Sequence, residues 1–100
     1  MALHSPNDVM DLLASCFGKP GLVVTEADLG DAFFDLRTGI AGELFQKFTN
    51  YNVRLAIVLP ERNRYGDRLR ELAGEHDRHP LIRFVADTPS GERWISATRS

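Results

Sequence analysis

A single cysteine, Cys16, stands in the whole chain. It excludes an internal disulfide and fits a reducing compartment, so the cytoplasm is the expected location. No apolar run nears the ~20 residues that span a bilayer. The opening residues Met1-Ala2-Leu3-His4-Ser5-Pro6 lack the basic start and long apolar stretch of a signal peptide, and no membrane partner is expected. Charge of one sign is also missing: the formal net charge is −2, too weak a field to gather nucleic acid. Repeats, low-complexity tracts and linkers are absent, so residues 1–100 read as one domain. With 43% hydrophobic and 26% charged residues, the chain is too apolar for disorder. At this length it should bury roughly 60–70% of its unfolded surface.

Catalytic sets are missing too. No Ser–His–Asp or Cys–His group assembles by spacing. Residues 38–43 (Thr-Gly-Ile-Ala-Gly-Glu) lack the lysine and the spacing of a Walker loop. Gly39-x-x-Gly42 has the outline of one RNA-binding loop, but Ile40 and Ala41 between the glycines are apolar and no basic groove accompanies them. His76 and His79 stand three residues apart without a third ligand, and His4 lies in the tail, so neither metal nor cofactor is implied. Cys16 falls on an apolar helix face with nothing evident to lower its pKa, which reads as a packed thiol.

What is present is an alternation of helices and strands. Ser5 and Asp8 make a Ser-x-x-Asp start with Pro6 at the tolerant first position, and Val9, Leu12, Leu13, Cys16 and Phe17 share one face up to a stop at Gly18. Residues 21–25 form a short apolar strand, and 26–31 are polar enough for a surface connection. A second helix should begin near Thr38 or Gly39 and end around Asn50, with Ile40, Ala41, Leu44, Phe45, Phe48 and Tyr51 inward. Residues 53–59 are apolar apart from Arg54, as in a strand covered on both faces, and Pro60 closes them. A third helix over about 62–75 carries Tyr65, Leu69, Leu72, Ala73 and His76 on one stripe. Residues 81–86 make the third strand. After 88–91 the pattern fades towards a short final helix holding Trp94, Ile95 and Ala97. The expectation is an α/β fold in α-β-α-β-α-β order, with a mainly parallel sheet of three or more strands flanked by helices. Three strands leave two open edges, which invite self-association unless a terminal tail covers them.

The turn before the second helix is the most unusual stretch. Thr38 at or beside its N-cap either caps the helix or offers a hydroxyl and open amides to a docking group. Gly39 and Gly42 either let a partner approach or permit tight helix–sheet packing. Asp35 and Arg37 flank the turn. Glu43 and Lys47 are spaced as a solvated pair on the outer face. The loop after the central strand, with Arg62 and Arg64 and then Arg68 and Arg70, is a candidate anion site where open α/β sheets usually bind ligands. Asp67, Glu71 and Glu75 interleave, as in a salt-bridged surface.

Residues 33–58, Phe-Phe-Asp-Leu-Arg-Thr-Gly-Ile-Ala-Gly-Glu-Leu-Phe-Gln-Lys-Phe-Thr-Asn-Tyr-Asn-Val-Arg-Leu-Ala-Ile-Val, resemble the bacterial family named domain of unknown function 4180. Flanking agreement extends the resemblance over most of residues 5–86. Family members usually carry an N-terminal strand pair before the first helix, and this sequence starts after it. Near the end of the third helix the family has Glu-Ser-Asn-x-Gly, where this chain reads Glu75-His76-Asp77-Arg78-His79. More distantly, Asp35, Thr38, Gly39, Ile40 and Gly42 resemble the Asp-Ser-Ser-Gly-Leu-Gly signature of sulfate-transporter-and-anti-sigma-antagonist (STAS) domains, with an insertion. There a hydroxyl at the turn can be phosphorylated, switching a kinase partner.

The likeness implies a non-catalytic regulatory or protein-interaction module acting through Asp35, Thr38, Gly39, Gly42 and Glu43, with an unknown protein partner. The alternative is a small-ligand binder or small enzyme using the strand carboxyl ends, with Asp35, Arg62 and Arg64 lining a cleft.

Overall fold

A computed structural model describes residues 3, 5–61, 64–76 and 79–97. The elements in order are α1 (Pro6–Ala14), β1 (Gly21–Val24), α2 (Glu26–Leu29), α3 (Asp31–Phe34), a 3-10 turn (Leu36–Thr38), α4 (Ile40–Asn50), β2 (Arg54–Val58), α5 (Asp67–Glu75), β3 (Ile82–Val85) and α6 (Thr88–Ala97). The fold class is α/β. Its three strands lie in the order β1-β2-β3, all parallel.

Register and side-chain alternation explain the two layers. Leu55 lies between Leu22 and Ile82, and Ile57 between Val24 and Phe84. These rows join Leu13 of α1, Leu44 and Phe48 of α4, and Leu69 and Ala73 of α5 in one apolar core. The next row, Val23, Ala56 and Arg83, points the other way because successive strand residues face opposite sides. There α6 lies across the sheet. Its Gly91 sits so close that a β-carbon would stand 3.0 Å from Ala56 Cβ and 3.2 Å from Val23 Cγ1. The Arg83 guanidinium lies 5.3 Å from the centre of the Trp94 ring. β2 is buried from Leu55 onward, as expected of a strand covered on both faces.

Several expectations need correction. The stretch expected as a surface connection, 26–31, holds α2 and the start of α3. Thr25 caps α2 reciprocally: its hydroxyl accepts from the Asp28 N–H at 3.4 Å, and the Asp28 carboxylate accepts from the Thr25 N–H at 3.0 Å. That capping box starts a helical turn in a polar segment, and Leu29 and Phe33 anchor the two short helices in the core.

The C-terminal helix is longer than expected. Asp87 begins it by accepting from the Ser90 N–H at 2.8 Å. Pro89 falls within the first turn, where a missing N–H costs nothing.

The first helix stops at Ala14 rather than Gly18. The Ser15 hydroxyl donates to the Leu12 carbonyl at 2.6 Å, and the chain turns. Phe17 therefore leaves the core face and is 57% exposed, resting on Tyr51, 53% exposed, just past the end of α4. At the other end of α1, Ser5 is the N-cap but makes no side-chain capping bond among the described residues.

Finally, α5 begins at Asp67, later than expected, and residues 62 and 63 lie outside the described residues. Among the described residues no helix is long and apolar enough to cross a membrane.

Candidate functional site

Asp35 follows α3 directly and closes it, its N–H donating to the Asp31 carbonyl at 3.1 Å. Its carboxylate then accepts three bonds from Arg37: the backbone N–H at 3.1 Å, Nε–H at 3.0 Å and an Nη–H at 3.1 Å. Those bonds hold the Asp35 carboxyl below its usual pKa. The fork is open to water, with the Arg37 side chain 89% exposed, so it shapes the turn more than it stabilises the fold.

Thr38 is exposed, yet its hydroxyl is occupied. Its one proton is shared between the Ala32 carbonyl at 2.6 Å and the Asp35 carbonyl at 2.9 Å, and its oxygen accepts from the Ile40 N–H at 3.3 Å. One oxygen thus ties the end of α3 to the start of α4. Gly39 stands at the N-cap with φ +78°, a backbone that L side chains rarely adopt. Gly42 is different: it is exposed, and an added β-carbon would meet nothing within 4 Å. No part of the described fold requires glycine there. Glu43 and Lys47 lie 3.9 Å apart on the outer face of α4.

Arg62, expected in the anion loop, lies outside the described residues. Arg64 is described and has a local role. It lies 3.6 Å from Glu26 Oε2, and its guanidinium is 5.6 Å from the centre of the Tyr65 ring. The Tyr65 hydroxyl donates to the same Glu26 carboxylate. Burial and that anionic acceptor push the Tyr65 pKa up. Glu26 follows β1 and Tyr65 follows β2, so this cluster clamps together the chain leaving the carboxyl ends of two neighbouring strands.

A second contact completes the corner. The rings of Phe34 and Tyr65 stack 3.9 Å apart, inclined by only 9°. Between the end of α3 and the start of α5 this leaves a cleft of about 440 Å³, lined by Phe34, Asp35 and Arg37 on one side and by Tyr65, Gly66, Asp67, Arg68 and Leu69 on the other. The cleft brings Asp35 of the turn together with the loop after the central strand. Thr38, Gly39, Gly42, Glu43 and Arg64 do not line it.

The chain matches the family described as Domain of unknown function (DUF4180) over residues 1–95. It belongs to that family. Neither the curated proteins nor the solved structures contain a match, and nothing found ties the chain to STAS domains. The DUF4180 match runs past the stretch recognised from sequence and takes in most of α6, so the helix that covers the second face of the sheet falls within the family's extent.

Several cleft residues of this DUF4180 member are misread or missed from sequence. Tyr65 reads as one more member of the α5 apolar stripe, and Phe34 stands in the sequence only within the stretch that carries the family resemblance. Their stacking joins segments far apart in the chain, which no local spacing reveals. The available signal is position: both cleft walls follow strand carboxyl ends. Among the described residues no three His, Cys, Asp or Glu side chains gather as a metal site.

Proposed function

We propose that the domain is a non-catalytic small-ligand binder whose ligand sits in the cleft between Phe34–Arg37 and Tyr65–Leu69. The supporting observation is the cleft itself. At about 440 Å³ it falls within the range of roughly 300–1,000 Å³ of small-molecule sites, and it opens at the carboxyl side of a parallel sheet. Its walls combine an aromatic stack with charged groups at the rim, where Arg37 and Arg68 are both exposed. With Arg37 turned to Asp35, the Arg68 guanidinium beside the aromatic rings favours a ligand that carries an anionic group on a flat or apolar body. Asp35 and Tyr65 are poorly tuned for acid–base catalysis. Asp35 is held below the usual carboxylate range and Tyr65 is pushed above the usual phenol, away from the near-neutral values that general acids and bases use.

A thermal-shift screen with nucleotides and phosphorylated metabolites tests this. A ligand at a hundred times its Kd stabilises by ~2.7 kcal/mol, which raises the Tm of a domain this size by about 10 °C or more. The rise should vanish in Arg68→Ala. A screen without hits, or a hit indifferent to that substitution, removes the proposal.

The exposure of Arg37, Thr38, Gly39 and Gly42 favours a second reading, a regulatory module that docks a protein on the Asp35–Gly42 turn. Capture of a partner altered by Thr38→Glu would support it; unchanged capture would remove it. Under either reading we propose a bacterial cytoplasmic location, in keeping with the single cysteine, which is buried.

A further inference from the structure

We propose that His79 is an acid-sensitive latch at the start of the outer strand: its neutral imidazole holds the amides of Leu81, just before β3, and of Ile82, its first residue, and protonation releases them. β3 is an outer strand, hydrogen-bonded to β2 along one side. The Leu81 carbonyl points inward and accepts from the Leu55 N–H at 2.7 Å. The N–H groups of Leu81 and Ile82 instead donate to one atom, His79 Nδ1, each at 3.0 Å. A ring nitrogen that accepts must carry its lone pair, so the proton of the neutral ring is on Nε2. The His79 carbonyl is tied to the same strand, accepting from Arg83 Nε–H at 3.1 Å. One residue thereby satisfies the outward Ile82 N–H of the edge strand and the Leu81 N–H before it, which would otherwise need water or another chain.

The surroundings favour the uncharged ring. His79 is partly buried. From the C-terminal end of α5 the His76 ring faces it at 5.2 Å, and from β3 comes Arg83, whose guanidinium leans on Trp94 of α6. Behind His76 stand two apolar rings, Phe45 of α4 at 4.8 Å and Phe84 of β3 at 6.2 Å. Burial, then His76, then Arg83 lower the His79 pKa. The sign follows. An unfolded histidine takes its proton near pH 6.5, before the folded one does. Stability is therefore complete above that pH. Between about 6.5 and the folded midpoint, the folded-to-unfolded ratio falls about tenfold per pH unit, because one more proton binds the unfolded chain. Once Nδ1 carries a proton it opposes two donors with a third, and the edge amides must turn to solvent.

NMR on the ¹⁵N-labelled chain between pH 8 and 5 tests the latch. His79 should appear as the Nε2–H tautomer with a midpoint below 6.5. The Leu81 and Ile82 amide shifts should follow the same midpoint, and their protection factors should drop as it is crossed. In His79→Asn, whose side-chain carbonyl accepts without titrating, that protection should become independent of pH. A midpoint at or above 6.5, or Leu81 and Ile82 amides that ignore the titration, overturns the proposal. The titration uses the unsubstituted protein, so it decides the matter even if the variant does not fold.

Discussion

Replacing two helical glycines by alanine, one at a time, should move stability in opposite directions. Gly42 lies in α4 and is exposed, with nothing within 4 Å of an added methyl carbon, whereas Gly91 lies in α6 against the sheet. Alanine in a helix interior is worth ~0.5–1 kcal/mol over glycine, and both variants receive that gain. Gly42→Ala should keep it. At Gly91 the new methyl would press on Ala56 Cβ at 3.0 Å and on the two Val23 methyls at 3.2 and 3.3 Å. Ala56 is held between Val23 and Arg83 in the parallel ladder and cannot retreat without moving the strand. Val23, branched at Cβ, has few rotamers to yield. Overpacking of this kind costs ~1–3 kcal/mol. Because the helix-propensity gain is common to both, the difference between the variants isolates the packing cost. Urea melts of the two proteins with matched slopes should therefore differ by ~1–3 kcal/mol, and thermal midpoints by about 4 °C at least. Coincident midpoints would refute the close packing of α6 on the sheet. Gly42→Ala also carries a functional reading: a more stable protein that no longer captures a partner would mean that the partner's backbone needs the bare α-carbon.

Thr25→Ala removes one half of the capping box and should lower stability by ~0.5–2 kcal/mol in a urea melt; no change would mean that α2 is held by Leu29 alone. Tyr65→Phe keeps the stack on Phe34 but deletes the bond to Glu26, and should cost ~1 kcal/mol while slackening the cleft wall, seen as faster hydrogen exchange at Gly66 and Asp67. The Asp87 carboxyl is held below its usual value of 3.8 by its bonds to Ser90. The stability it lends is present above that value and declines as pH falls from there towards the folded midpoint. Asp87→Asn should flatten that acid limb in melts between pH 5 and 2.5, and an unchanged limb would remove Asp87 as its source.

The sheet is legible because its central strand is written plainly. The apolar run over 53–59 with Pro60 behind it can only be covered on both faces, and β2 is the strand with a neighbour on each side. The α4 stripe is equally clear from Ile40 to Phe48, all of it buried. Tyr51 falls off the stripe because the helix ends at Asn50, and Phe17 does the same three residues after α1 stops. Periodicity marks a face but not where the backbone leaves it. α2 and α3 are hidden for a different reason: each is four residues long, too short to show a period, and only Thr25 and Asp28 betray the first. The site is half legible. Asp35 and the loop after β2 both stand out in the sequence, yet their meeting depends on a ring stack between distant segments. His79 reads from its spacing as one half of an incomplete metal pair, and its use as an acceptor for strand amides has no compositional trace.

Both crossovers, through α4 and α5, deliver their helices to one side of the sheet, and the opposite side waits for α6. Synthesis proceeds from the N-terminus at about 5–20 residues per second, so all three strands leave the ribosome before their last cover does. For that interval a strip holding Val23, Ala56 and Val58 meets solvent or a chaperone, and any cut in the chain ahead of Thr88 would make the interval permanent.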